Sequence, residues 1–430
     1  MPRFMLFGEG NAKEQAFCEQ SWRVGTRADD LLCCIYGRNR YLERSPRTVR
    51  VNGVDEAITA AREHNVDTVI MLAIEQFQAG HVEVFRAAGF RVSGVSSSGT
   101  FLENSKVQAK AFMQRHGVAC AYSEPFFGAA EAERFLISNW ADRRFVVKAS
   151  CYLDEIAFSC SVPDTLQEAI DAVRRLSAHL EDIAAPPGLV LEERLEGREF
   201  SVHVLVDGAD YKVFPMVRDY KQLLEGNKGP NTAGIGAIAV AADWDPDLMA
   251  DLRSRIIEPT MDGLSREGIE YRFVLYIGVM MTSDGPIALE YNVRPGMPEF
   301  PTLLALAKTS GLEMATALQD GKLSSLELEW EEAEPYSVAV TLTTSGYPFS
   351  SEGIGESMFG LAELDEDVWP LAECMPDEPN PTVSTGRVLT LIARGKSFQE
   401  ARERVYRNID RIRFRGLYCR RDIGDLTVLE

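Results

Sequence analysis

Near residue 290 the chain reads Leu289-Glu290-Tyr291-Asn292-Val293-Arg294-Pro295-Gly296. Side chains alternate along a strand, so Glu290, Asn292 and Arg294 share one face. A carboxylate and an amide oxygen two positions apart are hard oxygen ligands, suited to a magnesium ion that keeps phosphate oxygens in its shell. An arginine just beyond them can hold a phosphoryl group through two parallel hydrogen bonds. The plain structural alternative is the solvated polar face of an antiparallel strand. Lys148 follows the apolar run Phe145-Val146-Val147, where an ammonium is costly unless it meets an anion or snorkels to an edge. Lys106 opens a short helical stretch and alone reads as a surface lysine.

Two other segments carry polar chemistry. Leu191–Glu199, LEERLEGRE, has carboxylates at both ends. Backbone groups around Glu193 and Leu195 could read an adenine edge, and Glu199 could accept from ribose hydroxyls; an acidic surface turn is the alternative. Lys221–Gly236, KQLLEGNKGPNTAGIG, is glycine-rich and reads as a long loop. Its Gly229–Gly236 portion, flanked by Lys221 and Lys228, would offer approachable N–H groups to an anion or a developing oxyanion. Other chemistries find little support. The five histidines (64, 81, 116, 179 and 203) sit in no metal-ligand or triad spacing, and neither GxxxxGK[ST] nor GxSxG occurs.

The elements that must position these groups follow from pattern. Phe4–Phe7 reads as a strand, Gly8-x-Gly10 as the turn after it and Ala12–Trp22 as a helix. Strands at Val49–Val51, Asp67–Ala73 and Phe90–Gly94 alternate with helices at Asp55–His64 and His81–Ala88, which predicts a parallel sheet covered on both faces. A helix over Ser105–His116, a strand at Phe145–Ala149 and a helix over Thr165–Leu180 lead to the break Ala184–Gly188. Leu189–Leu195, Phe200–Leu205 and Tyr211–Pro215 then look antiparallel, as do Val274–Thr282 and Ile287–Val293 around Asp284-Gly285-Pro286. Strands return from about Tyr336, and Ser397-Phe398-Gln399-Glu400 is a capping box opening a final helix.

Composition bounds the partners. The chain has 430 residues, which at ~150 per domain predicts roughly three domains. Its 65 Asp plus Glu outnumber 45 Lys plus Arg, a net charge of −20 that argues against nucleic-acid or anionic-membrane partners. Eight cysteines without a CxxC pair read as free thiols of a reducing compartment. The N-terminal apolar run is too short for a signal peptide, and Val69–Ile74 is far short of the ~20 residues that span a bilayer. A soluble, cytoplasmic protein is expected.

Taken in order, these segments resemble the ATP-grasp ligases, specifically the phosphoribosylamine–glycine ligases of purine synthesis. The resemblance runs end to end through Asn104-Ser105-Lys106-x-x-Ala109-Lys110-x-Phe112-Met113, Asp219-x-Lys221, Gly229-Pro230-Asn231-Thr232-x-Gly234-x-Gly236-Ala237, Leu275-Tyr276-x-Gly278, Leu289–Arg294, Gly386-Arg387-Val388-Leu389 and ARERVYRNIDRIRFRGLYCRRDIG at the C-terminus. It implies a multidomain α/β and α+β chain: a Rossmann-like parallel-sheet domain (1–103), a central ATP-grasp domain (104–118 and 189–325), a lid (119–188) and a C-terminal α+β domain (326–430). It further implies ATP with Mg2+ or Mn2+. Lys106 and Lys148 would contact the phosphates, Glu192, Glu193 and Leu195 the adenine, and Glu199 the ribose. Glu290 and Asn292 would bind the metal, with Arg294, Lys221 and Asn231 around the reacting groups. Gly8, Gly10, Glu75, Gly234, Gly236 and Arg387 would face substrate. The implied reaction activates a carboxylate as an acyl phosphate, which an amine attacks to give an amide, ADP and phosphate. The partners are then a small carboxylate and a small amine, taken by a monomer or homodimer.

The chain departs from the family where substrate is contacted. GxGGREH becomes Gly8-Glu9-Gly10-Asn11-Ala12-Lys13-Glu14-Gln15, GPExPL becomes Ala73-Ile74-Glu75-Gln76-Phe77, and GDPE becomes Gly296-Met297-Pro298-Glu299. No FHAGT segment stands near Cys374, and the AAGKG lid loop is replaced by Ser150–Ala157, which contains Asp154-Glu155. These departures lead to the expectation of a different amine in a specialised biosynthetic pathway. The alternatives are phosphoribosylamine–glycine ligase itself and a nucleotide-binding pseudoenzyme or scaffold.

Overall fold

A computed structural model describes residues 3–25, 28–151, 153, 159–186, 188–208, 210–242, 244–350, 352–373, 375, 378 and 381–425. Its first five strands are parallel, in the spatial order Thr48–Arg50, Leu31–Ile35, Phe4–Gly8, Thr68–Ile70, Arg91–Val95. Helices cover both faces, so the strands read as unbroken apolar runs rather than alternating ones. Leu31–Ile35, sequence LLCCI, is a strand that pattern reading passed over. Its two cysteines act as small apolar core residues, each fully buried. The chain runs outward from Phe4–Gly8 to Thr48–Arg50, then returns to lay Thr68–Ile70 on the other side of Phe4–Gly8. That reversal opens a crevice beyond the carboxyl ends of these two neighbours.

Arg91–Val95 joins this parallel half to an antiparallel one by pairing with Tyr271–Thr282. The long strand Tyr271–Thr282 pairs with Arg198–Asp207 on one side and closes a hairpin with Gly285–Asn292. Through Val217–Asp219 and Gly236–Val240 the same fourteen-stranded sheet continues into Tyr336–Thr343, Arg387–Gly395 and Val368–Ala372. The helix Phe398–Ile409 opens where its capping residues predict, with the Ser397 hydroxyl accepting from the Glu400 N–H, and buries Ala401, Val405 and Ile409.

A separate four-stranded sheet has the order Ser123–Phe126, Leu189–Glu193, Phe145–Ala149, Cys160–Ser161. The helices Ala129–Asn139 and Leu166–Asp182 supply Leu136, Val173 and Leu176 to its own apolar core with Phe145 and Leu191. Each such fully buried side chain contributes about 1.5–3 kcal/mol to this separate core. Leu189–Glu193 is the central strand here, so it sits with residues 119–188 and not among the strands of 189–325 where sequence grouped it. The seven described cysteines are free thiols; Cys374 lies outside the described residues. Among the described residues no helix is long and apolar enough to cross a membrane.

Candidate active site

Glu290 stands opposite Gly278 in the Tyr271–Asn292 hairpin. A Cβ at Gly278 would lie 3.2 Å from Glu290 Cγ, so the bare position makes room for the carboxylate. Lys221, just past the strand Val217–Asp219, donates to Glu199 and lies 3.4 Å from Glu290 Oε1. Withdrawal from water pushes the Glu290 carboxyl up, but Lys221, Lys106 and Lys148 together hold it at about 2. Three ammonium groups from three elements therefore converge on one carboxylate. Two residues on, Asn292 Oδ1 accepts from Arg294 at 3.4 Å, and Arg294 Nε lies 3.0 Å from buried Glu103. Glu103 also accepts the Val293 N–H at 2.9 Å, which fixes the turn that aims Arg294.

The donors fit a magnesium ion carried in with a nucleotide. Glu290 stays ionised, and Asn292 adds a neutral oxygen one strand repeat away. Among the described residues no group of three or more His, Cys, Asp or Glu is placed to hold a metal unaided. Phosphate oxygens would complete such a shell.

Across the cleft, Glu192 is clasped by Lys148 Nζ and Lys110 Nζ, each at 2.7 Å. The three residues are 2%, 8% and 5% exposed. Burial alone would raise the Glu192 carboxyl, yet the two ammonium groups hold it below the ordinary range. Glu192, expected beside an adenine, has its carboxylate committed to two lysines, and its strand is paired on both edges. Glu193 is similarly engaged, donating its N–H to the Tyr122 carbonyl at 2.8 Å and facing Arg143. Leu195 lies past the strand's end, and among the described residues its backbone groups have no partner. Of the three adenine candidates, Leu195 alone lies beyond the strand Leu189–Glu193. Lys106 opens the helix Lys106–Arg115, its N–H bound to the Ser150 carbonyl, and stands near enough to Glu290 to lower it. Of the altered lid segment, residues 152 and 154–158, including Asp154 and Glu155, lie outside the described residues.

The glycine-rich segment is not an open loop. Gln222–Leu224 and Lys228–Asn231 form a hairpin, with Asn231 opposite Gln222. The N–H groups beyond it are spent internally: Thr232 on the Lys221 carbonyl, Ala233 on the Tyr347 hydroxyl, Gly234 on Thr232 Oγ1 and Ile235 on the Tyr220 carbonyl. The expected anion nest is therefore closed by its own hydrogen bonds. Gly234 is needed for another reason. At φ +90° a Cβ there would lie 2.9 Å from Asp219 Oδ1 and 2.8 Å from the Met297 carbonyl. Gly236 packs against Ile423, and Arg387 clasps the Ala233 carbonyl at 2.6 Å and the Met297 carbonyl at 3.3 Å. Beneath this clasp, Asp219 Oδ1 and Glu299 Oε2 are buried without hydrogen-bond partners. Burial raises both carboxyls, and for Asp219 repulsion from Glu299 adds to it.

In the parallel half, Gly10 turns at φ +91° and donates with Asn11 to Glu14 Oε2, at 2.6 and 3.0 Å. The turn after Gly8 is thus filled by the chain's own carboxylate, and a Cβ at Gly8 would overlap Glu14. Glu75 is exposed at the start of the helix Ile74–Gln78. Sequence reasoning missed four residues the structure brings to the cleft: Glu103, Lys110, Asp219 and Glu299. Lys110 stands one helical turn after Lys106, and Asp219 two strand positions before Lys221, so spacing could have found both.

The ATP-grasp (A) domain of phosphoribosylglycinamide synthetase matches residues 104–300, and its C domain matches 337–426. Phosphoribosylamine–glycine ligase of Caldanaerobacter subterraneus subsp. tengcongensis is 33% identical over 379 residues, covering 87% of this chain and 88% of that protein. The Rhodopirellula baltica ligase is 34% identical over 381 residues, 87% and 86% of the two chains. Among solved structures, the Thermotoga maritima phosphoribosylamine–glycine ligase superposes with a TM-score of 0.80 at 25% identity, over 97% of this chain and 99% of that one. Biotin carboxylase of Campylobacter jejuni, at 13% identity and TM-score 0.70 over 100% and 96% of the chains, shares the fold. With an ATP-grasp architecture and these relatives along nearly its whole length, the chain belongs to the phosphoribosylglycinamide synthetase family of ATP-grasp ligases, enzymes that form carbon–nitrogen bonds.

Proposed function

We propose that this chain joins the carboxylate of glycine to the amine of phosphoribosylamine at the expense of ATP. The observation that carries the reading is Lys221 at 3.4 Å from Glu290, with the charges of Lys106 and Lys148 also acting on that carboxylate, Asn292 on the same strand and Arg294 just beyond it. That arrangement suits a γ-phosphoryl group in transfer, where catalysis is chiefly positioning and charge neutralisation. Curated relatives named phosphoribosylamine–glycine ligase, matched over most of both chains, support the purine-synthesis alternative over a specialised pathway with another amine.

Leu195 backbone groups would meet the adenine edge and Glu199 the ribose. Lys106 and Lys148 would hold the phosphates, the latter without leaving Glu192. A magnesium ion held by Glu290 and Asn292 would neutralise charge on the phosphate oxygens. A glycine carboxylate oxygen attacks the γ-phosphorus, the bond to the β-phosphate oxygen breaks, and ADP departs. The amine nitrogen then attacks the acyl carbon, phosphate leaves, and the nitrogen loses a proton. Arg294, steadied by Glu103, would face the transferred group, and Lys221 and Asn231 would stand beside it. Asp219 Oδ1 and Glu299 Oε2, buried without hydrogen-bond partners, would accept from a substrate ammonium, whose charge would offset the burial that raises both carboxyls. A carboxylate nucleophile needs no base, which suits a cleft whose buried His203 is held neutral, at about 3, by burial and by Arg294.

The test is turnover with Mg-ATP, glycine and phosphoribosylamine, reading ADP, phosphate and the amide by mass. Formation of the glycinamide ribonucleotide is expected. A folded sample that turns over only with other amines sinks this reading in favour of the specialised pathway.

A further inference from the structure

Lys13 is a buried lysine that the ligation chemistry described above does not use. It lies in the first turn of the helix Ala12–Val24, which follows Phe4–Gly8, and its side chain crosses to the chain leaving Thr68–Ile70. Its ammonium thus spans the crevice beyond the carboxyl ends of these neighbouring parallel strands, where the chain reverses direction across the sheet. Crevices at such reversals are where open α/β sheets take ligands. The residue is 8% exposed, yet among the described residues its ammonium makes one hydrogen bond, a long contact of 3.5 Å to the Leu72 carbonyl. No carboxylate of the described residues comes within ion-pair distance. A buried ammonium left so poorly compensated is costly unless an anion arrives.

The neighbouring groups say what kind of anion. A turn between a strand and a helix ordinarily binds phosphate through its N–H groups. Here Glu14 takes the N–H groups of Gly10 and Asn11, which leaves the Lys13 side chain as the donor. The charged groups facing it are Glu14 on its own helix, Glu75 on Ile74–Gln78, Glu103 on Phe101–Asn104 and Arg294 beyond Gly285–Asn292. Glu103 is tied to Arg294, and Glu75 is exposed to water. We propose that Lys13 binds the anionic group of the amine substrate, a phosphate monoester, and so sets specificity at this crevice. This rests on the ligase reading above. Burial and the repulsion of Arg294 lower the ammonium to about 8, so an empty crevice loses its charge as the pH rises past that value.

Two measurements on the full chain test it. In steady-state turnover, Lys13→Met should raise the KM for phosphoribosylamine about tenfold or more, with KM for ATP and glycine within about twofold. Lys13→Arg should restore most of the loss and abolish the rise of the amine KM above about pH 8. Separately, calorimetry should find ribose 5-phosphate bound by the wild type, ribose bound far more weakly, and the difference erased by Lys13→Met. Replacing an unpaired buried charge by methionine spares the fold, which thermal melting would check. Should the wild type fail to ligate this pair, the ligase reading falls and ribose 5-phosphate alone decides the role of Lys13. Unchanged amine KM and unchanged ribose 5-phosphate affinity in Lys13→Met overturn the proposal while leaving ligation intact. So does a loss that appears in the KM for glycine instead.

Discussion

The two walls of the cleft treat buried charge in opposite ways. On the lid side, Lys148 and Lys110 close on Glu192 at 2.7 Å each, and all three are nearly inaccessible. Opposite, Asp219 Oδ1 and Glu299 Oε2 are buried with neither a hydrogen bond nor an ion pair among the described residues, and the Lys13 ammonium has one long contact. A buried cluster tied by ion pairs keeps its geometry whether or not a ligand is present. A buried ionisable group without an ion pair costs folding energy or gives up its charge, and binding a complementary group relieves either penalty. The wall carried by the four-stranded sheet holds its lysines in place, whereas the facing wall leaves buried groups that a substrate, on the proposed reading, would complete.

That contrast can be broken most severely at the point where the walls meet. Glu290→Gln removes the charge on which three lysines converge, and kcat should fall on the order of a thousandfold with the fold intact by circular dichroism. Next in size is the lid. Glu192→Gln strands two buried ammonium groups, so urea unfolding should report a loss of about 3–5 kcal/mol. Asp219→Asn should do the reverse: stability unchanged or raised by about 1 kcal/mol, turnover down about tenfold or more. If both variants lose stability alike, the distinction between the walls is gone.

A smaller effect follows from pH. The Glu290 carboxyl sits at about 2 in the folded chain against an ordinary 4.5, so the folded state releases its proton more readily than the unfolded one. Its contribution to stability is complete above about pH 4.5 and is lost as the pH falls toward 2. Urea midpoints should therefore drop less steeply below pH 4.5 in Glu290→Gln than in the wild type. Least of all, Glu193→Ala should change stability by about 1 kcal/mol or less, because its pair with Arg143 is partly exposed.

Much of the cleft was legible where chemistry follows strand spacing. Glu290 and Asn292 share a strand face because residues two apart do, with Arg294 just past the strand's end, and the hairpin carrying them lies where Asp284-Gly285 predicts a turn. The final helix follows from one capping box and an apolar stripe. What escaped depends on contacts between distant segments. Nothing local marks Glu192 as the partner of Lys148, 44 positions earlier, since the pairing exists only because Leu189–Glu193 inserts beside Phe145–Ala149. Nor could composition reveal that the N–H groups of the glycine-rich segment are consumed by Tyr347 and Tyr220, the former more than a hundred residues away. A GxG turn likewise reads as open until Glu14 is seen to fill it.

Ligation itself is tested most directly with glycine labelled by oxygen-18 in both carboxylate positions. If the carboxylate attacks the γ-phosphorus and the amine then displaces phosphate, each inorganic phosphate formed with ADP carries one labelled oxygen, and the amide keeps the other. Unlabelled phosphate, or AMP and pyrophosphate in place of ADP, would contradict the account.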